Sequence, residues 1–189
     1  MHIYNLIIVG LWTISLVYFV ISAGGSRKYA DHSPMRSRPG IPLGSIAILL
    51  LLVRLHTVQA LLQRLPPTHM GPANGTTAVV FVAAGAGLAI WAKVYLGKNW
   101  GLPMTLQQGS QLVTSGPYKF VRHPIYTGWI LAMIGSAIAS GVLWLLFPFV
   151  FCAYFVFSAV TEEKILTQAF PTQYPEYKKH SKIVIPFIL

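Results

Sequence analysis

S-G-P-Y-K-F-V-R-H-P-I-Y-T-G, Ser115 to Gly128, is a polar stretch near the middle of an otherwise apolar chain. It gathers Tyr118, Arg122, His123 and Tyr126 between two apolar regions. Two glycines and two prolines punctuate it, so it starts as a turn and leads into a helix after Pro124. On its C-terminal side, residues 128–160 stay apolar for about 33 residues, long for one membrane span of about 20 and short for two. Ala137 to Gly141, A-I-A-S-G, is the natural turn of a tight helical hairpin, with Pro148 in its second arm. The polar cluster thus sits at the mouth of an apolar bundle, where chemistry would concentrate. The competing reading is a basic cytoplasmic loop that merely obeys membrane charge rules.

On the N-terminal side, residues 98–127 form the whole polar segment and residues 76–97 the span before it. That span carries two small-xxx-small pairs, Ala83 with Gly87 and Gly85 with Ala89, which let helices approach closely. Residues 63–75 are a turn-rich connection, in which Asn74-Gly75 and three prolines are expected to stop helix on both sides. Residues 42–62 form another span, with Arg54 about midway. A charge there normally faces protein or water, which makes Arg54 a candidate anion anchor inside the bundle. His56 points about 200° away from it around the helix. Residues 24–41 are irregular and basic, and residues 3–23 form the first span. No Lys or Arg precedes this run and Arg27 and Lys28 follow it, the reverse of a cleaved signal peptide.

The chain is therefore read as one all-α integral membrane domain. Its spans are expected at about 3–23, 42–62, 76–97, 126–140 and 142–160, the last two forming the hairpin. A short C-terminal helix lies on the cytoplasmic side, at the membrane or over the site. Composition agrees: 54% of the 189 residues are hydrophobic and 10% charged, against about 25% charged in soluble domains. The formal charge of +10 comes from bases in loops, which fits anionic lipid and not nucleic acid. With the N-terminus outside, every Lys and Arg except Arg54 and Arg64 falls on the cytoplasmic side. The lone Cys152 excludes an internal disulfide and a cysteine-based zinc site, and its apolar setting makes it a poor nucleophile.

Beyond the spans, T-E-E-K at 161–164 carries Glu162 and Glu163, two of only four acids. They are expected where the last span leaves the membrane, within reach of the Arg122–His123 loop. Paired acids at a helix C-terminus would oppose the macrodipole, which argues for a role beyond a solvated end. No P-loop, H-E-x-x-H, G-x-S-x-G or G-x-G-x-x-G pattern is present. A metal site would need more ligands than His123 and one acidic pair. What remains is group transfer by positioning, with a polar substrate from the cytoplasm meeting an apolar one from the bilayer.

L-V-T-S-G-P-Y-K-F-V-R-H-P-I-Y-T-G, then E-E, then F-x-x-x-Y-x-x-Y-K, closely resembles the isoprenylcysteine carboxyl methyltransferase family. That family belongs to a wider group of membrane methyltransferases that includes phospholipid N-methyltransferases. The likeness covers about Leu112 to Pro186 and is specific for the group rather than the substrate. It implies S-adenosylmethionine bound on the cytoplasmic side in a region spanning about 110–186. The cofactor-binding residues it implies are Ser110, Gln111, Leu112, Val113, Tyr118, His123, Pro124, Ile125, Tyr126, Glu162 and Glu163. A carboxylate suits the ribose hydroxyls or the methionine ammonium of such a cofactor, and aromatic faces suit its sulfonium and adenine. Arg122 would pair with Glu162, Glu163 or the cofactor carboxylate. Arg122 and Arg54 are the candidate catalytic residues, and no metal is expected. Two positions depart from the family: Ser110 stands where a His is frequent, and Ala159 where prenylcysteine enzymes carry an Arg thought to face the substrate carboxylate. The implied activity is methylation of a carboxylate on a lipophilic acceptor entering from the bilayer, among membrane lipids. Methylation of a phospholipid amine, a small amine or a thiol is the near alternative. An NADPH-dependent sterol-type reductase, whose C-terminal region has a related R-H-P-x-Y element, and a non-catalytic membrane scaffold are the distant ones.

Overall fold

A computed structural model describes residues 2–26, 71–100 and 109–184. All fall in one of the two units into which the chain divides, residues 1–33 with 70–189. Five α-helices account for most of them: α1 (His2–Ser26), α2 (Pro72–Leu96), α3 (Pro124–Ser140), α4 (Leu146–Ala169) and α5 (Gln173–His180). No strand occurs among the described residues, so the all-α expectation stands. Within α1, α2 and α4 lie three stretches long and apolar enough to cross a membrane, and α3 is a shorter apolar helix. Exposed Leu6, Val9, Ile21, Leu146 and Phe149 on α1 and α4 make sense against lipid. The expected span at 42–62, with Arg54, lies outside the described residues.

Small residues set how closely α2 and α3 approach. A Cβ on Gly85 would come within 2.5 Å of the Gly128 carbonyl and the Ala132 amide. A Cβ on Gly135 would meet the Ala78 carbonyl at 2.8 Å. The two backbones touch, and the pairings 85 with 128–132 and 78 with 135 make the helices antiparallel. Of the two small-residue pairs in the sequence, only Gly85–Ala89 is buried; Ala83 and Gly87 are exposed. α1 runs parallel to α2. Its Tyr4 ring packs on Gly75 near the start of α2, and its Phe19 ring meets Trp100 just past the end of α2. Midway, Trp12 Nε1 donates to Ser136 Oγ of α3 at 2.9 Å.

Several boundaries differ from the sequence reading. α2 starts at Pro72, so Asn74-Gly75 lies inside its first turn. Proline at a first helical position loses no hydrogen bond and presets φ, which makes it a start signal. The hairpin turn is narrower than Ala137–Gly141: α3 stays helical through Ser140, and Gly141, with φ 113°, makes the break. A 3₁₀ turn at Val142–Leu145 follows, and α4 runs from 146 to 169 rather than 142 to 160. Glu162 and Glu163 are therefore more than a turn inside a helix and not at its end. At that depth they do not oppose the helix dipole, whose effect is confined to the last turn.

Candidate functional site

Antiparallel pairing of α2 with α3, and of α3 with α4, gathers the end of α2, the start of α3 and the last turns of α4 at one end of the bundle. The Gly116–Lys119 3₁₀ turn and α5 complete that end. Arg122 lies in a bend two residues before α3. Its Nε donates to Glu163 Oε1 at 2.6 Å, and its Nη1 donates to the carbonyl of Ser181 and, at 3.4 Å, to that of Lys178. Lys178 Nζ reaches Glu163 Oε2 at 2.7 Å. One buried carboxylate is thus gripped by two cations, one on each oxygen. Of the pairings open to Arg122 in the sequence, this is the one formed.

Glu162 has different company. Tyr126 donates its phenol to Oε1 at 2.6 Å, and His123 Nδ1 lies 3.3 Å from Oε2. The rings of His123, Tyr126 and Phe155 stack in a column, at 5.5 and 4.8 Å between centroids and within 15° of parallel. His123 is 7% exposed, and its Nε2 is buried with no hydrogen-bond partner. Glu163 Oε1 is 3.9 Å from that nitrogen, outside hydrogen-bond range.

The tail holds this end closed. The amides of Arg122 and His123 donate to the carbonyls of Lys182 and Ile183 at 2.7 and 3.0 Å, and the Lys182 amide returns a bond to Phe120 at 3.2 Å. Thr127 Oγ1 donates to the Val184 carbonyl at 2.5 Å. Tyr177 of α5 donates its phenol to the Tyr118 carbonyl at 2.5 Å. Burial holds the Tyr118 and Tyr174 phenols well above their ordinary pKa and pushes Tyr177 up to about 12. All three are neutral at working pH.

Tyr118, Arg122, His123, Tyr126, Glu162 and Glu163 thus converge, with Pro124 fully buried and Ile125 half-buried beside them. Ser110, Gln111, Leu112 and Val113 form extended chain tied instead to the turn after α2, where the Gln111 amide donates to Asn99 Oδ1 at 2.9 Å. Ser110 Oγ is buried without a partner. Phe155 and Lys178 join the site although sequence reasoning gave them no role. Lys178 was in view as the last residue of F-x-x-x-Y-x-x-Y-K, whereas Phe155 is one of many aromatics in an apolar run. A separate open groove of about 330 Å³ lies along α5, lined by Thr114, Lys119, Gln173, Glu176, Tyr177 and His180. Tyr177 lines this groove and also bonds to the Tyr118 carbonyl of the buried cluster.

A family model described as phospholipid methyltransferase matches residues 74–173, more than half of the chain and the whole scaffold from α2 to the start of α5. The chain belongs to the phospholipid methyltransferase family. Among this family member's curated relatives is protein-S-isoprenylcysteine O-methyltransferase of Schizosaccharomyces pombe, 32% identical over 117 residues, covering 60% of the chain and 50% of the relative. Protein-S-isoprenylcysteine O-methyltransferase B of Arabidopsis thaliana is 30% identical over 84 residues, 43% of each. Methanethiol S-methyltransferase 1 of Bradyrhizobium diazoefficiens is 37% identical over 70 residues, 37% of the chain and 24% of the relative. The chain spans half the length or less of these relatives. The expectation of a membrane methyltransferase family on an all-helical membrane scaffold is borne out.

Proposed function

We propose that this protein is a membrane methyltransferase that uses S-adenosylmethionine to methylate the carboxylate of a lipophilic acceptor. The observation that carries the reading is Glu162 and Glu163 flanking His123 and the Tyr126 column at one end of an apolar bundle. The names of the relatives support the reaction class.

The residues present suit such a cofactor. His123 Nε2 and Tyr174 Oη are buried polar atoms without partners, as expected where a polar ligand completes the hydrogen bonding. Glu162, whose carboxylate meets a phenol and an imidazole where Glu163 meets two fixed cations, and the column of ring faces favour a cation. When bound, S-adenosylmethionine supplies an electrophilic methyl group on a positively charged sulfur. Glu163, fixed by Arg122 and Lys178, would accept hydrogen bonds from it, and Glu162 would offset its charge. Tyr118, Pro124, Ile125 and the Ser110–Val113 segment would wall the pocket. Arg122 acts here by holding Glu163 and the tail in place. An acceptor carboxylate is already ionised at neutral pH, so these residues have to orient and exclude water, not remove a proton. The site and both ends of the tail helix would face the cytoplasm, with the N-terminus outside, because that side then holds the basic segments.

Isothermal calorimetry with S-adenosylhomocysteine tests the reading. His123→Ala and Glu163→Ala should each weaken binding about tenfold or more, the usual worth of a lost charge-assisted contact. Unchanged affinity in both variants, or binding of NADPH instead, rules the reading out. A thiol acceptor is a second reading, favoured by the unpartnered Nε2 of His123. With its proton on Nδ1 toward Glu162, the imidazole presents a lone pair able to take a thiol proton. Methyl transfer to a thiol in preference to a carboxylate, lost in His123→Ala, would select it.

A further inference from the structure

One buried cation stands outside this constellation, and the inference drawn from it deepens the proposed methyl transfer and rests on it. Lys93 lies in the last turn of α2 and is 6% exposed. Among the described residues its ammonium is in no ion pair; it lies over the Trp100 ring, 4.4 Å from the centroid. A buried ammonium without a counter-charge is costly in an apolar setting and marks a place for an anion.

Its depth follows from the helix pairing. Ala89 packs against Gly128 across antiparallel helices. Four residues onward on α2 and four back on α3 put Lys93 level with Pro124, the residue after His123. Two residues further on, the Tyr95 ring packs against Gly116, in the turn that carries Tyr118. Lys93 therefore shares the depth of the candidate site. Beside it runs a tier of rings from α1, α3 and the end of α2. Trp12 stacks on Trp129 at 5.3 Å, Phe19 leans on Trp129 at 5.1 Å and meets Trp100 at 6.3 Å. All four are half-buried. The tier begins at mid-bundle, where Trp12 meets Ser136, and ends at the ring that covers Lys93.

We infer that Lys93 and this tier seat the acceptor, the ammonium facing its carboxylate and the rings lining its apolar chain. One ammonium balances one negative charge, that of an ionised carboxylate at neutral pH. Half-buried aromatic side walls suit a long-chain substituent that arrives from the bilayer.

The test is binding in neutral detergent of cis-parinaric acid, a fluorescent long-chain carboxylate, and of its methyl ester, read by energy transfer from tryptophan. Wild-type protein should prefer acid to ester about tenfold, the worth of one charge-assisted contact. Lys93→Met and Lys93→Gln should bind both probes alike, and Lys93→Arg should keep the preference. Equal binding of acid and ester to wild type, or a preference that survives in a folded neutral variant, overturns the inference. Failure of the methyltransferase reading would show separately, as absent S-adenosylhomocysteine binding by wild type, an affinity that Lys93 substitutions should leave unchanged.

Discussion

Arg122 donates in several directions at once, to the Glu163 carboxylate and to two carbonyls of the tail. A guanidinium spreads its donors over a planar fork of three nitrogens and reaches acceptors set wider apart than the three donors of a single ammonium nitrogen can. Arg122→Lys should therefore keep the charge beside Glu163 yet loosen the tail. Limited proteolysis should then cut near residues 178–184 in the variant and spare wild type. Tyr177 makes a smaller clasp, one phenol bond to the Tyr118 carbonyl. Its pKa is raised from 10.0 to about 12 by burial, so folding favours the neutral phenol. Its contribution to stability is full below pH 10 and is lost as pH climbs toward 12, because the unfolded chain ionises first. Thermal melts across that window should show stability fall with rising pH, and Tyr177→Phe should lessen the fall, the rest of which Tyr118 and Tyr174 carry, at a cost of about 1 kcal/mol at neutral pH.

The α2–α3 contact turns on three glycines. Gly128→Val would drive a side chain into the Gly85 carbonyl and the Ala89 amide. It should cost at least the roughly 1–3 kcal/mol typical of overpacking. Gly87→Val, on the same pair of helices but facing open space, should leave the melting temperature nearly unchanged. Melting both variants in detergent checks the contrast. Sequence spacing alone offered Gly85–Ala89 and Ala83–Gly87 as equals, because a repeat of four residues does not say which face meets a neighbour. Helical hydrophobicity was legible throughout, since lipid demands it. Pro72 and Glu162–Glu163 show what was harder. A proline reads as a breaker until its position in the first turn is known, and polar residues look like an end even where the helix continues past the membrane. His123, Tyr126 and the two acids were legible through a family motif. Phe155 and Lys178 were not assigned, because their roles depend on neighbours 29 and 15 positions away in sequence.

At the scale of the whole molecule, α1 and α2 run side by side in the same direction, so the chain leaves α1 at one end of the bundle and enters α2 at the other. With Cys152 replaced, single cysteines at Gly71 and Ser140 should label with an impermeant maleimide added outside intact cells, and cysteines at Lys119 and Lys178 should not. Labelling at Lys178 from outside would invert the proposed orientation. The tail has one further consequence. The amides of Arg122 and His123 find their carbonyl partners only at Lys182 and Ile183, about sixty positions later. Both hairpin helices can enter the bilayer as they are made, but those two amides stay hydrated until the later segment has been synthesised. The end that carries the candidate site is therefore the last part of this bundle to be completed during biogenesis, and a nascent chain halted before residue 182 holds its helices without holding that end together.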